Sequence, residues 1–364
     1  MLVRKREAWR FLTYARSATH HNSSVAHLAD QNSRWPHLQG QDVPMTLPRP
    51  ESADRGRISS DPDAVIAETV AAWDAFLLAL ADVDRDGPTR TSNRSVARVL
   101  TVLGSWPEGR PLEHLRADAI AGRHGAEALD DTEGRVLAMR AHATDDQILA
   151  ALIRARDDIA AWGASTEFAA ESLLEVGGPL GVVPLGTMVA ASSYQLAVAS
   201  RDLAPAGMHT PDIVVDAGVC SLLDSVGAVV AASGSATEKA PLDLSVDTPR
   251  LSVRICVVGA DWRVDVGERS DTATDGGPSL TCTPDVLVDI ASGRLAAPVA
   301  YARGAIQAHD LVGLLRVATI LASAPGLPGT EGLRAAVGAY AATTRAADAM
   351  GRAVGGAWRR LRRE

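Results

Sequence analysis

The spacing of apolar residues changes once along this chain, and that change limits the folds it can adopt. Between Ile66 and residue 232, apolar residues recur mainly every three or four positions, which is the period of an amphipathic helix. From Leu251 they alternate with polar residues, which is the period of a half-buried strand. A chain of 364 residues normally forms more than one domain. The pattern therefore predicts a multidomain α and α+β protein.

Helix signals predict a bundle over residues 59–232. Ser60-Asp61-Pro62 combines a capping side chain with a proline whose missing N–H does no harm at a helix start. Thr144 and Gln147 form a capping box that opens a later helix. The other predicted helices cover about 96–103, 112–120, 184–203 and 211–232. Five or six helices within about 170 residues predict a helical bundle.

The second unit is predicted to hold a small sheet. Residues 233–248 are polar and contain proline, so they are predicted to form a linker. Alternation from Leu251 to Val257, a turn at Gly259 and renewed alternation from Trp262 predict a hairpin. Further elements are predicted at 279–283 (strand), 284–292 (helix), 305–308 (strand) and 310–322 (helix). We therefore predict an α+β domain over 249–323 with helices on one face of the sheet.

Both ends of the chain differ from its body. Residues 1–58 lack a sustained apolar period and are predicted to be a disordered extension, with Met45 as a second candidate start of translation. Residues 324–364 are alanine-rich and predicted to be helical. Met350, Val354, Trp358 and Leu361 form one apolar stripe there, surrounded by arginines. Such a helix can dock on the chain's own acidic body or touch an anionic surface weakly.

Charge and cysteine content exclude some classes of function. The net charge is −8, and the body between residues 60 and 344 carries about −16 because both ends are basic. Such a surface repels nucleic acid, so no nucleic-acid partner is expected. Three widely spaced cysteines predict reduced thiols and a cytoplasmic protein. The uncharged stretch 176–200 is interrupted by prolines and glycines, so stable membrane insertion is not expected.

Two stretches carry a family resemblance. The run SLTCTPDVLVDIASGRLAAPVAYARGAIQAHDLVGLLRVATIL resembles a sterol-carrier-protein-2-like (SCP2-like) domain. Upstream, SNRSVARVLTVLGSW and PLGTMVAASSYQLAVASRDL make the chain similar to the mycothiol-dependent maleylpyruvate isomerase family, whose first domain is a DinB-like metal-binding helical bundle. The resemblance implies a cytoplasmic isomerase or transferase that uses a divalent metal and the small thiol cofactor mycothiol.

The metal ligands that the resemblance implies are absent from this chain. The family's histidine, glutamate and second histidine fall at Val102, Gln195 and Ala199. Valine and alanine have no lone pair, and a neutral amide is a poor transition-metal ligand beside a carboxylate. The sequence therefore predicts no bound metal. Other histidine–acid pairs, His114 with Asp118, His124 with Glu127 and His209 with Asp212, are interpreted as solvated or loop residues.

A polar stripe remains on the helix predicted at 184–203. It comprises Met188, Ser192, Gln195, Ala199 and Asp202, which follow one another at helical spacing. With Val102 it is predicted to line a residual pocket; the alternative is a plain contact between small-residue helix faces. Three functions stay open: a metal-less protein that binds a small apolar or thiol-bearing ligand, an active mycothiol-dependent isomerase or transferase, and an SCP2-like lipid or sterol carrier. Whether any catalysis remains is left open by the sequence.

Overall fold

The computed structural model describes residues 54–91, 94–123, 132–178, 181–238, 240–268 and 277–323. A helical part comes first and a five-stranded sheet with three further helices follows, so the fold is mixed α and β as predicted. The helices of the first part are α1 (Arg57–Ser60), α2 (Pro62–Ala79), α3 (Val96–Leu103), α4 (Pro111–Ile120), α5 (Thr132–Met139), α6 (Asp145–Gly163), α7 (Phe168–Glu171), α8 (Leu185–Ala190), α9 (Ser192–Leu203) and α10 (Asp212–Ser233).

The capping signals act as predicted. The Asp61 carboxylate accepts a hydrogen bond from the Ala64 N–H at 2.9 Å, with Pro62 in the first turn of α2. Thr144 and Gln147 form both hydrogen bonds of the capping box that opens α6. These bonds satisfy backbone N–H groups that a helix start leaves free.

The helix predicted at 184–203 is two helices. A hairpin of β1 (Glu175–Gly178) and β2 (Gly181–Pro184) precedes it, and the helix is interrupted at Ala191, between α8 and α9. Most of α8 and α9 is buried. Met188 therefore lies on a different helix from the other residues of the polar stripe.

The predicted linker contains a central strand of the sheet. The strands of the second part are β3 (Leu242–Asp247), β4 (Leu251–Val258), β5 (Asp261–Glu268), β6 (Ser279–Cys282) and β7 (Ile306–His309), in the spatial order β5-β4-β3-β6-β7. β3 pairs antiparallel with β4 and parallel with β6. The linker over 233–248 is thus wrong for residues 242–247, because Leu242, Leu244 and Val246 are buried in the core.

The two parts share one hydrophobic core. α10 packs on the apolar face of β4 and β5, and it comes so close that a Cβ atom at Gly227 would lie 2.6 Å from the Trp262 ring. One cluster of buried side chains runs from the bundle through α10 into β3, β4 and β5. The remaining helices are α11 (Pro284–Ala291), α12 (Ala297–Ala302) and α13 (Leu311–Ser323). α10 therefore belongs to both parts.

Packing begins before residue 59, where the sequence placed the end of a disordered extension. We call residues 54–60 the N-terminal strap. The Gly56 backbone N–H donates to the Trp262 carbonyl at 2.8 Å, and the Trp262 N–H donates to the Asp54 carbonyl at 2.9 Å. Ile58 is fully buried against Gly186. Residues 1–53 and the predicted helical extension 324–364 lie outside the described residues.

Among the described residues, two helical stretches, Pro62–Asp82 and Asp212–Ser233, are long and apolar enough to cross a membrane. The second of them is α10, which is buried between the bundle and the sheet. Its apolar character is therefore explained by packing inside the fold.

Candidate functional site

The predicted pocket residues lie on two helices in contact. α3 carries Val102 and packs against α9, which carries Ser192, Gln195, Ala199 and Asp202. Val102, Ser192 and Gln195 are half-buried, whereas Ala199 and Asp202 are fully buried. The structure thus brings the helices of the predicted site together.

Ser192 and Gln195 differ in their partners. The Trp73 indole N–H of α2 donates to the Ser192 hydroxyl at 3.2 Å, which leaves the hydroxyl's own proton to be donated elsewhere. None of the described residues forms a hydrogen bond with the Gln195 side-chain amide. Half-buried amides are usually satisfied by a protein group or by water. The Gln195 amide and the Ser192 hydroxyl proton are therefore the polar groups of this site that remain available to a ligand.

Asp202 does not line an open pocket. Its carboxylate forms an ion pair with the Arg294 guanidinium, which comes from the segment after α11. Burial raises the pKa of Asp202, although the positive charge of Arg294 opposes that effect. Asp202 therefore helps to hold the second part of the chain against α9.

A second ion pair between the same two parts of the chain lies beside the first, and here the acid is on α11 and the arginine on α9. The Asp289 carboxylate of α11 accepts from Arg201 on α9 at 2.7 and 3.1 Å, and from Arg90 at 2.8 and 3.2 Å. Burial acts to raise the pKa of Asp289, but the hydrogen bonds from Arg201 and Arg90 outweigh it, so the pKa is lowered. Tyr194 on α9 is buried near the charges of Arg294 and Asp289, and burial raises its pKa.

A cluster of charged residues that no sequence pattern indicates joins α9 to the region of α11. We call Arg90, Arg201, Asp202, Asp289 and Arg294 the interface cluster; its members come from α9, from the loop before α3 and from the region of α11. The paired residues are separated by about 90 to 200 positions in sequence. No local spacing could have indicated the pairs, because ion pairs of this kind depend on how distant elements dock.

The residues at the family's ligand positions do not fit a metal. Val102 and Ala199 offer no donor atom, and Gln195 offers one neutral amide. Within the ranges that the structure describes, no three His, Cys, Asp or Glu side chains form a group that could hold a metal ion. We therefore assign no chemistry to a metal at this site.

The remaining histidine pairs are consistent with the solvated interpretation where they can be seen. His114 is exposed on α4, and Asp118 is paired with Arg123. His209 is exposed, and Asp212 pairs with Arg250. His124 and Glu127 lie outside the described residues.

Comparison with known proteins gives a distant structural similarity. No protein-family model and no curated protein matches the chain. Two crystal structures of mycothiol-dependent maleylpyruvate isomerase, one of them a point mutant, align with 69% of this chain and 93% of their own length. Their TM-scores are 0.40 and 0.39 with 13% and 14% identity. The similarity lies in the overall path of the backbone.

A second set of structures is less similar. The stereoselective inverting sec-alkylsulfatase from Pseudomonas sp. aligns with 58% of this chain and 29% of its own length, at a TM-score of 0.23 and 11% identity. These values define neither a family nor an activity for the chain.

Proposed function

We propose that this chain is a metal-less relative of the mycothiol-dependent maleylpyruvate isomerases that binds a small apolar or thiol-bearing ligand between α3 and α9. The observation that carries the proposal is Gln195, a half-buried amide without a hydrogen-bond partner among the described residues. Ser192 beside it has a hydroxyl proton free to donate, and Val102 supplies an apolar wall. A mostly apolar surface with few polar groups suits a small ligand.

The residues at the ligand positions support a role without a metal. A metal that activates a water or a thiolate needs three protein donors, and this site offers one neutral amide. We therefore favour binding over metal-dependent turnover. For the lipid-carrier alternative, α10 already packs on the apolar face of β4 and β5, so that face of the sheet is not open to a lipid.

The proposal is tested by titrating the purified chain with mycothiol in the presence of a chelator. We expect calorimetric binding without metal, weakened roughly 5- to 10-fold by Gln195→Ala, because one hydrogen bond contributes about 1 kcal/mol. Gln307→Ala, an exposed amide on β7, is the matched control and should bind as the unaltered chain does. Binding that requires added metal, or that is equal in both variants, contradicts the proposal.

Metal content provides a second test. Elemental analysis of untagged protein should find no stoichiometric transition metal. One equivalent that a chelator removes with loss of stability would instead favour the active, metal-dependent isomerase or transferase.

A further inference from the structure

An apolar and acidic surface lies on the outer side of α2 and α6. These helices run antiparallel, because Gly163 at the end of α6 lies against Ile66 near the start of α2, and Arg156 pairs with Asp74 further along at 2.7 Å. Leu78 follows Asp74 by four residues, and Ile153 precedes Arg156 by three. Both apolar side chains therefore lie on the outer side of the helix pair, next to this ion pair.

This surface combines two exposed apolar side chains with an excess of acidic groups. We call it the α2–α6 face and define it by Asp74, Leu78, Asp82, Ile153, Arg156 and Asp157. Leu78 is 78% exposed and Ile153 43% exposed. The face carries three carboxylates and one guanidinium. That guanidinium, of Arg156, is already paired with Asp74 and Asp157. The face is thus an apolar centre with an acidic rim.

The carboxyl-terminal segment of the same chain has the complementary pattern. The sequence of 350–364 predicts a helix with one apolar stripe, and the segment carries five arginines against one acid. Its glycines, Gly351, Gly355 and Gly356, each weaken a helix by about 1 kcal/mol relative to alanine, so such a helix needs a partner surface. An amphipathic helix laid into a groove between two helices is a common mode of recognition.

The connecting chain is long enough. α13 ends at Ser323, so residues 324–349 separate it from the segment. Twenty-six residues span up to about 85 Å when extended, several times the radius of gyration of roughly 18 Å expected for a globular unit of this size. A tethered segment is present at high effective concentration near its own body.

We propose that residues 350–364 dock as an amphipathic helix on the α2–α6 face of their own chain. A second group of exposed apolar residues, Val299 and Tyr301 on α12 with Leu311 and Val312 on α13 (the α12–α13 patch), is less suitable, because Arg303 and Arg316 outnumber Asp310 there and would repel the arginines of the segment. Charge complementarity therefore selects the α2–α6 face.

The test is hydrogen–deuterium exchange on the full chain. We expect peptides from 350–364 to exchange at least about tenfold more slowly in the unaltered chain than in Leu78→Lys/Ile153→Lys, since docking protects backbone amides. Removal of residues 350–364 should make the backbone amides of residues 74–82 and 150–157 exchange faster. The matched control, Leu311→Lys/Val312→Lys on the α12–α13 patch, should leave the segment as protected as in the unaltered chain.

Other outcomes overturn the proposal. Equal exchange of the segment in the unaltered chain and in Leu78→Lys/Ile153→Lys, at unchanged circular dichroism, means that it does not dock there. An equal effect of the control variant means that the face is not specific. Protection lost on dilution assigns the contact to a second copy of the chain. Protection seen only with vesicles containing anionic lipid assigns it to a membrane.

Discussion

Gly56 is the residue at which the backbone of the strap comes closest to the second part of the chain. Its φ is +73°, and a Cβ atom built there would lie 2.1 Å from the Asp224 carboxylate and 2.2 Å from the Trp262 indole nitrogen. Both atoms are fixed, because the indole donates to that carboxylate at 3.0 Å. Only glycine combines this conformation with this approach.

We predict that Gly56→Ala lowers the free energy of unfolding by about 2–5 kcal/mol, because a φ of +73° with a ψ of −161° is a conformation nearly restricted to glycine and because the added methyl group overpacks the contact. Gly259→Ala is the matched control: its φ is +63°, but no atom lies within 4 Å of the added Cβ. The control should cost about 1–2 kcal/mol from strain alone. Urea unfolding measures both, and equal losses would contradict the role of the close contact.

Asp224 is a buried acid whose charge should matter for stability. Burial raises its pKa, although hydrogen bonds from the Arg57 N–H and the Trp262 indole, together with the Arg57 charge, act in the opposite direction. An acid whose folded pKa lies above its unfolded value stabilises the fold below the unfolded pKa. That contribution is lost as the pH rises through the folded pKa.

We therefore predict that Asp224→Asn becomes more favourable relative to the unaltered chain as the pH rises from about 4, the unfolded pKa of an aspartate. The asparagine keeps an acceptor oxygen for the Trp262 indole and does not ionise. Urea midpoints of the two proteins across this pH range provide the measurement. A constant difference between the two midpoints would show that the Asp224 pKa is not raised in the folded state.

At the scale of elements, local signals predicted most helices and strands, and the exceptions have physical reasons. The capping box of α6 and the hairpin of β4 and β5 are encoded within a few residues, so they were predicted. β3 was assigned to a linker because Pro241, Asp243 and Asp247 gave its segment a polar composition. Leu242, Leu244 and Val246 nonetheless alternate with polar residues, which is the pattern of a half-buried strand.

The candidate site shows where sequence reasoning stops. The structure packs α3, which carries Val102, against α9, which carries Gln195 and Ala199, but that these residues line one pocket stays a prediction. The partner of Asp202 could not be predicted, because Arg294 lies 92 positions away and reaches it only through the docking of α11.

The docking of α11 on α9 gives a prediction at the same scale. Asp289→Asn should lower the free energy of unfolding by about 1–3 kcal/mol, because it leaves the guanidiniums of Arg90 and Arg201 without their shared carboxylate. Asp265→Asn, which removes an exposed pair with Arg263 on β5, is the control and should cost less than about 1 kcal/mol. Chemical unfolding compares them, and similar losses would mean that the interface cluster does not hold α11.

At the scale of the whole molecule, the two parts are not independent. α10 serves both as a bundle helix and as the cover of the sheet, and the buried apolar cluster continues across it. The N-terminal strap joins the same two parts from the other end of the chain. A change of apolar period therefore identified two kinds of structure, but it did not identify two separate cores.

The N-terminal strap is expected to contribute to the stability of the whole molecule. Removal of residues 1–53, which the sequence predicts to be a disordered extension, should change the free energy of unfolding by less than about 0.5 kcal/mol. Removal of residues 1–60 should lower it by several kcal/mol, because Ile58 leaves the core, Trp262 loses its backbone partners and the Asp224 carboxylate loses a donor. Ile58→Ala, expected to cost about 2–5 kcal/mol, isolates the apolar part.

The unfolding of these variants should also remain a single transition. Because one core connects the bundle to the sheet, each protein should unfold in one transition. Within the unaltered chain, and likewise within Ile58→Ala, the helical circular dichroism and the fluorescence of the tryptophans, which include Trp73 in the bundle and Trp262 on β5, should have coincident midpoints, the variant's at a lower urea concentration. Two separate midpoints in Ile58→Ala would show that the bundle and the sheet are stable without each other. An unchanged free energy of unfolding after removal of residues 1–60 would show that the strap does not join them.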